Sequence, residues 1–260
     1  MQTAIQLQLL QDKISLPDLT IGQAMDIAKI PERFNEKRLS ALITHLTNDA
    51  ELADLLTVQE RYYILLNQQM LAEHKYSEQG DQHRYLLPTI ESDVPDSFEH
   101  PNLNISIQHL RGKHVCVLET QCENLFDWLC GQMACQLYGD IFTQIMGEDN
   151  SDDKYDKWEA ISVGLTENEI NELMQNRVAM LTSLPEYIFN YLVTIYSDML
   201  ASLTHFVDIS NDNQGITLLS VNQASNQEQN TEGLVHSEPA RFLTLAALRG
   251  TASQLAKLIT

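Results

Sequence analysis

His109, His114 and Cys116 are the residues whose types and spacing come nearest to chemistry. If residues 103–110 and 114–118 are two strands of a hairpin, His114 and Cys116 share one face and His109 lies across the turn. A histidine beside a cysteine can serve as base and nucleophile, and with a further donor the group becomes a partial metal site. That reading makes the chain a hydrolase or metal-binding enzyme using the 109–116 hairpin. No orienting carboxylate is recognisable beside them, and plain sheet packing also explains a His–Cys pair on a strand.

The four cysteines stand at 116, 122, 130 and 135, without the C-x2-C pair that structural zinc sites use. On a helix Cys122 and Cys130 share a stripe while Cys135 points away, so one tetrahedral site cannot collect all four. They read as buried, reduced thiols. Gly147 to Asp153 resembles the start of a calcium loop, but Lys154 and Ala160 occupy the positions that need glycine and glutamate. Gly112-Lys113 lacks the rest of a phosphate loop, and neither G-x-G-x-x-G, H-E-x-x-H nor G-x-S-x-G occurs. The sequence therefore assigns no catalytic, cofactor-binding or metal residue, and it reads as a protein without enzymatic activity.

The element that must position these residues is the stretch from Leu103 to Met146. Leu103 to Leu110 alternates apolar and polar residues, Arg111-Gly112-Lys113 reads as a turn, and His114 to Leu118 as the returning strand. Thr120 and Glu123 form a capping-box signature for one long helix. Its buried stripe is expected to hold Cys122, Leu125, Phe126, Leu129, Cys130, Met133, Leu137 and Ile141.

Before that core, residues 3–10 read as an edge strand and three helices follow. One opens on Thr20 and Gln23, one spans 35–46, and one opens on Thr57 and Glu60. Residues 1–75 thus form an N-terminal module, 76–102 a linker or extended arm, and 103–260 a hairpin and helical core domain. Beyond the core, Thr166 and Glu169 open a helix, and another starts at Ser183-Leu-Pro185-Glu186. In that helix Tyr187, Ile188, Tyr191, Leu192, Ile195, Met199 and Leu203 should be largely buried. Short strands at 206–209 and 216–221, a mobile loop at 222–232 and a final helix over 238–258 complete the chain. The predicted fold is α+β and mainly helical, a bundle-like core with a small antiparallel hairpin or sheet.

Charge is the unusual feature of the composition, with 16 Lys and Arg against 36 Asp and Glu and a net charge of −20. Such a field repels phosphate backbones and anionic lipid, so neither nucleic acid nor a membrane is an expected partner, and a basic protein is favoured. The N-terminus lacks a basic region followed by an apolar run. The longest apolar segment, 187–207, is broken by Asn190, Asp198 and His205. The chain is expected to fold in a cytoplasm.

Two segments carry a family likeness. Leu19 to Arg33, LTIGQAMDIAKIPER, and Leu56 to Leu66, LTVQERYYILL, resemble a pattern in tail and baseplate-assembly proteins of tailed bacteriophages. The second half is similar in layout to baseplate-hub proteins, although Asp208 to Leu219 lacks the cysteine pair that some relatives carry. The resemblance implies a structural or assembly component of a phage tail, in the virion or as an assembly chaperone confined to the host cytoplasm. Its partners would be other tail and baseplate proteins, or a second copy of the chain. Bulky apolar and aromatic residues outside the expected core stripes are the candidate contacts: Tyr62, Tyr63, Tyr85, Leu86, Leu87, Phe98 and Trp128, with Tyr138 beside Trp128.

Overall fold

The computed structural model describes residues 5–73, 81–88, 94–141, 157–221 and 239–248. Strands β1 (Ile5–Gln8) and β2 (Lys13–Leu16) form an antiparallel hairpin with Leu7 opposite Ile14. Helices α1 (Ile21–Ala28), α2 (Asn35–Thr47), α3 (Ala50–Leu55) and α4 (Val58–Glu73) follow. Next come β3 (Ser97–Glu99), β4 (Ile105–Gln108), α5 (Gly112–Gln121), α6 (Leu125–Gln136) and β5 (Leu137–Gly139). Both β3 and β5 pair antiparallel with the central β4. Helices α7 (Glu167–Thr182) and α8 (Glu186–Ala201) precede a last antiparallel pair, β6 (Asp208–Asp212) and β7 (Gly215–Leu219). The fold is thus α+β and mainly helical, with small antiparallel sheets, as the sequence predicts.

The capping boxes form where their spacing puts them. At Thr57 the hydroxyl accepts the Glu60 N–H at 3.1 Å while the Glu60 carboxylate accepts the Thr57 N–H at 3.0 Å. Thr20 with Gln23 and Thr166 with Glu169 do the same. Each box satisfies N–H groups that have no partner inside their own helix. Two N-terminal elements escape the sequence reading. The expected edge strand turns back as β2, and α3 starts on Asp49, whose carboxylate accepts the Leu52 N–H at 3.0 Å.

The central stretch departs most from expectation. Residues 112–121 are a helix, not a turn and a returning strand, and within the long helix expected from Thr120 the chain instead forms α6 and then β5. The reason lies in burial. Residues 114–118 are buried on every side, and a short continuous apolar run has no period by which to tell strand from helix. Thr120 does not cap; its hydroxyl donates to the Val117 carbonyl at 2.7 Å. Asn124 caps α6 instead, accepting the Asp127 N–H at 3.1 Å. Leu125 and Phe126 therefore sit in the first turn and are exposed, and Leu129 is half-buried, while Cys130 and Met133 are sealed.

Two further corrections follow from register. On α8 the buried line is Ile188, Leu192, Ile195 and Met199, so Tyr187 and Tyr191, each one residue early, face solvent at 74% and 53% exposure. Residues 239–248 are not helical: Ala240 exchanges backbone hydrogen bonds with Leu218 of β7, and a 3-10 turn follows at Thr244–Ala247. Pairing with the strand takes the Ala240 carbonyl that a helix would offer to the Thr244 N–H, and that N–H goes to Asn35 instead. The expected loops at 147–153 and 222–232, and residues 249–258 of the expected final helix, lie outside the described residues. Ile141 is buried as expected, and Met146 lies outside the described residues.

Buried apolar residues from Leu7 to Leu248 make up one cluster. The described part of 76–102 is fastened to it. Leu87 N–H donates to the Phe206 carbonyl at 2.8 Å, Val221 N–H to the Arg84 carbonyl at 2.6 Å, and β3 lies along β4. No helix among the described residues is long and apolar enough to cross a membrane.

Candidate functional site

The densest polar chemistry gathers at the N-terminus of α2. Phe34 stands at its cap position and offers no acceptor, so the first amides need a partner from elsewhere. Glu119, near the end of α5, supplies it: its carboxylate accepts Glu36 N–H at 2.6 Å and Lys37 N–H at 3.2 Å. The Glu36 side chain turns inward, where Tyr62 donates to one oxygen at 2.6 Å and Arg61 to the other at 3.2 Å. Arg61 is fully buried and also donates to the carbonyls of Glu36 and Ala53, each at 2.8 Å, and to Ser40 Oγ at 2.9 Å. Asn35 then binds the C-terminal segment, accepting Thr244 N–H at 2.9 Å.

A cleft of about 710 Å³ opens beside this network, walled by Glu32, Phe34, Glu119, Glu123, Trp128 and Arg241. Its floor is firm. The β6–β7 turn presses Gly215, at φ 121°, against Trp128, where an added Cβ would meet the indole at 2.9 Å. Arg241 is held by the Asp212 carboxylate and the Gln214 carbonyl. Burial and the neighbouring Glu36 push the Glu119 carboxyl up to about 8. Cys122, also in the wall, is no activated nucleophile, because burial and the charge of Asp127 push its thiol up to about 12.

The histidines and cysteine singled out by spacing are not brought together. With 112–121 helical, His114 and Cys116 are about 200° apart around the axis. The His114 ring donates from Nε2 to the Ile161 carbonyl at 3.0 Å and accepts Arg111 N–H at Nδ1, a neutral tautomer that burial enforces by lowering its pKa to about 4. Cys116 lies 3.3 Å from Ser40 Oγ, and burial raises its thiol to about 11. His109 instead meets His205 edge-on, ring centroids 5.0 Å apart, and reaches the Pro95 carbonyl at 2.9 Å. The supposed nucleophile–base hairpin does not exist. Among the described residues no group of three or more His, Cys, Asp or Glu is placed to hold a metal ion.

The expected contact residues divide by burial. Tyr62 and Trp128 are sealed in the core and present no outer surface of this chain. Tyr63 stacks on Phe206 at 4.6 Å, Tyr85 packs edge-on against Phe242 at 4.7 Å, and Leu86, Leu87, Phe98 and Tyr138 are half-buried. Exposed large apolar side chains lie elsewhere, Ile21, Tyr187 and Tyr191 among them. Leu125 and Phe126 at the start of α6 are both 49% exposed, and the Phe126 ring sits 5.7 Å from that of Phe189 on α8. Leu129 and Val193, one turn on along each helix and half-buried, extend this strip. Sequence reasoning assigned Leu125 and Phe126 to the buried stripe because it started the helix at Thr120. The Asn124–Asp127 spacing was the available signal that the helix begins later.

Compared with models of known protein families, with curated proteins and with solved structures, the chain matches none.

Proposed function

We propose that this protein is a structural or assembly component of a bacteriophage tail or baseplate and works through protein–protein contacts. The observation that carries the reading is the strip formed by exposed Leu125 and Phe126 with half-buried Phe189 beside them, an apolar surface of the kind that marks a contact site. The phage-like segments support it by where they meet. The first ends in Glu32 and Arg33 on the cleft, and the second supplies Arg61 and Tyr62, which hold Glu36 behind it.

Mass spectrometry of purified particles, beside the lysate of infected cells, tests the reading. A structural component is present at fixed stoichiometry in the particle. An assembly chaperone is abundant in the lysate, bound to a tail protein, and missing from the finished particle. A chain found in neither role, with no tail protein co-purifying, overturns the proposal.

A further inference from the structure

Charge around the apolar strip specifies what should cover it. Neither α6 nor α8 carries a single Lys or Arg, and the sequence has none over 114–153 or over 178–240. The acids Glu123 and Glu186 are exposed at the starts of the segments that bear the strip, and Asp127 is half-buried beside Phe126. In sequence these carboxylates flank the apolar residues of the strip, and neither helix carries a cation to neutralise them. A second copy presenting the same face would set acid against acid on a chain of net charge −20, which disfavours self-association there.

We propose that the α6–α8 strip docks a basic amphipathic segment of another protein, its apolar residues covering Leu125, Phe126 and Phe189 and its Lys or Arg side chains meeting Glu123, Asp127 and Glu186. This rests on the reading of the chain as a protein that acts by contacts, and it adds the chemistry of the partner. An apolar ridge flanked by one sign of charge is complementary to a helix with apolar residues at i, i+3, i+4 and i+7 and bases alongside. Cations over the exposed aromatic faces add to the attraction.

The test is titration of the isotope-labelled full chain with an amphipathic Leu/Lys peptide about five turns long, followed by amide NMR, beside the same peptide with Glu for Lys. The expected result is shifts confined to 123–129 and 186–200, and binding by the Lys peptide at least about ten-fold tighter than by the Glu peptide. Phe126→Asp should weaken the Lys peptide by about ten-fold or more, and added salt should weaken it further. Glu186→Lys changes charge without touching the packing, so it reads the electrostatic half even if Phe126→Asp fails to fold. Equal binding of both peptides would overturn the basic partner while leaving the contact reading intact. Shifts spread over the whole surface, or no binding of either peptide, would overturn the docking site, and the particle analysis would still decide the contact reading independently.

Discussion

Glu119 accepts the backbone N–H of Glu36 at 2.6 Å across 83 residues of sequence, giving α2 the cap that Phe34 cannot. One carboxyl group thereby ties α5 to α2 and shapes a wall of the cleft. Glu119→Ala leaves two helix-end amides without their acceptor and should cost about 1–3 kcal/mol in a urea titration. Glu119→Gln keeps one acceptor oxygen and should cost less. It should also change the pH dependence. The unfolded carboxyl loses its proton near 4.5 and the folded one near 8, so between them the folded state holds more protons. The contribution of Glu119 to stability then falls as pH rises through that window. Stability of the wild type relative to Glu119→Gln should therefore decline from pH 5 to pH 8, and a constant difference would refute the account.

Behind it, Arg61 and Glu36 form an ion pair with side chains only 0% and 3% exposed. Such a pair adds little over an apolar substitute, but breaking one side strands a buried charge. Arg61→Met should cost about 3–5 kcal/mol, because Glu36 keeps only the Tyr62 hydroxyl and the guanidinium bonds to two carbonyls vanish as well. Adding Glu36→Gln to Arg61→Met should recover part of that loss. A double variant no better than the single one would mean that the carbonyl bonds, not the charge pair, dominate.

The buried histidines predict acid sensitivity. His109 and His114 are held neutral, each with a pKa lowered from 6.5 to about 4, mainly by burial. The unfolded chain takes up protons near 6.5 and the folded one only near 4, so the stabilising effect is complete above 6.5 and lost as pH falls towards 4. Each histidine should account for up to about 3 kcal/mol of that loss. His205 adds a hydroxyl reversal. Its Nδ1–H donates to the Leu203 carbonyl at 2.8 Å, so neutral Nε2 must accept from Thr57. Once His205 is protonated, the Thr57 hydroxyl can only turn its proton to Glu60, 3.1 Å away. Urea midpoints at pH 7, 5.5 and 4.5 should fall steadily in the wild type and more shallowly in His114→Gln. Parallel slopes would remove His114 from the explanation.

What was legible in the sequence was local. Thr20, Thr57 and Thr166 announce their helices because a capping box lies within four residues of chain. Residues 206–221 read as two short strands across a polar turn, although β6 runs on through Asn211 and Asp212, which their polarity assigns to the turn. Information carried by distant partners was not legible. Val115 to Leu118 are helical because α2, α3, α6 and α7 pack around α5, and their sequence alone suits a strand equally well. The candidate surface suffered the same way. Phe126 looks like core until the Asn124 cap fixes where α6 begins, and nothing near Glu119 says that it serves a helix 83 residues earlier.

The packing of α5 offers the sharpest steric test. Gly112 begins this helix with its N–H bonded to the Leu56 carbonyl at 2.9 Å, and a Cβ there would lie 2.1 Å from the Ala53 carbonyl oxygen. That obstacle is backbone, fixed by α3, and cannot swing aside. Gly131 on α6 faces a softer one, since its Cβ would lie 2.4 Å from Cδ2 of Leu118, a side chain with other rotamers. Gly131→Ala should therefore cost about 1–3 kcal/mol as ordinary overpacking. Gly112→Ala should cost more, because it must separate α5 from α3. Truncation calibrates the same region: Met133→Ala, fully buried, should cost about 2–5 kcal/mol, and half-buried Leu129→Ala clearly less. Guanidinium titrations of the four variants give the order directly. If Gly112→Ala proved milder than Gly131→Ala, the close seating of α5 on α3 would be wrong.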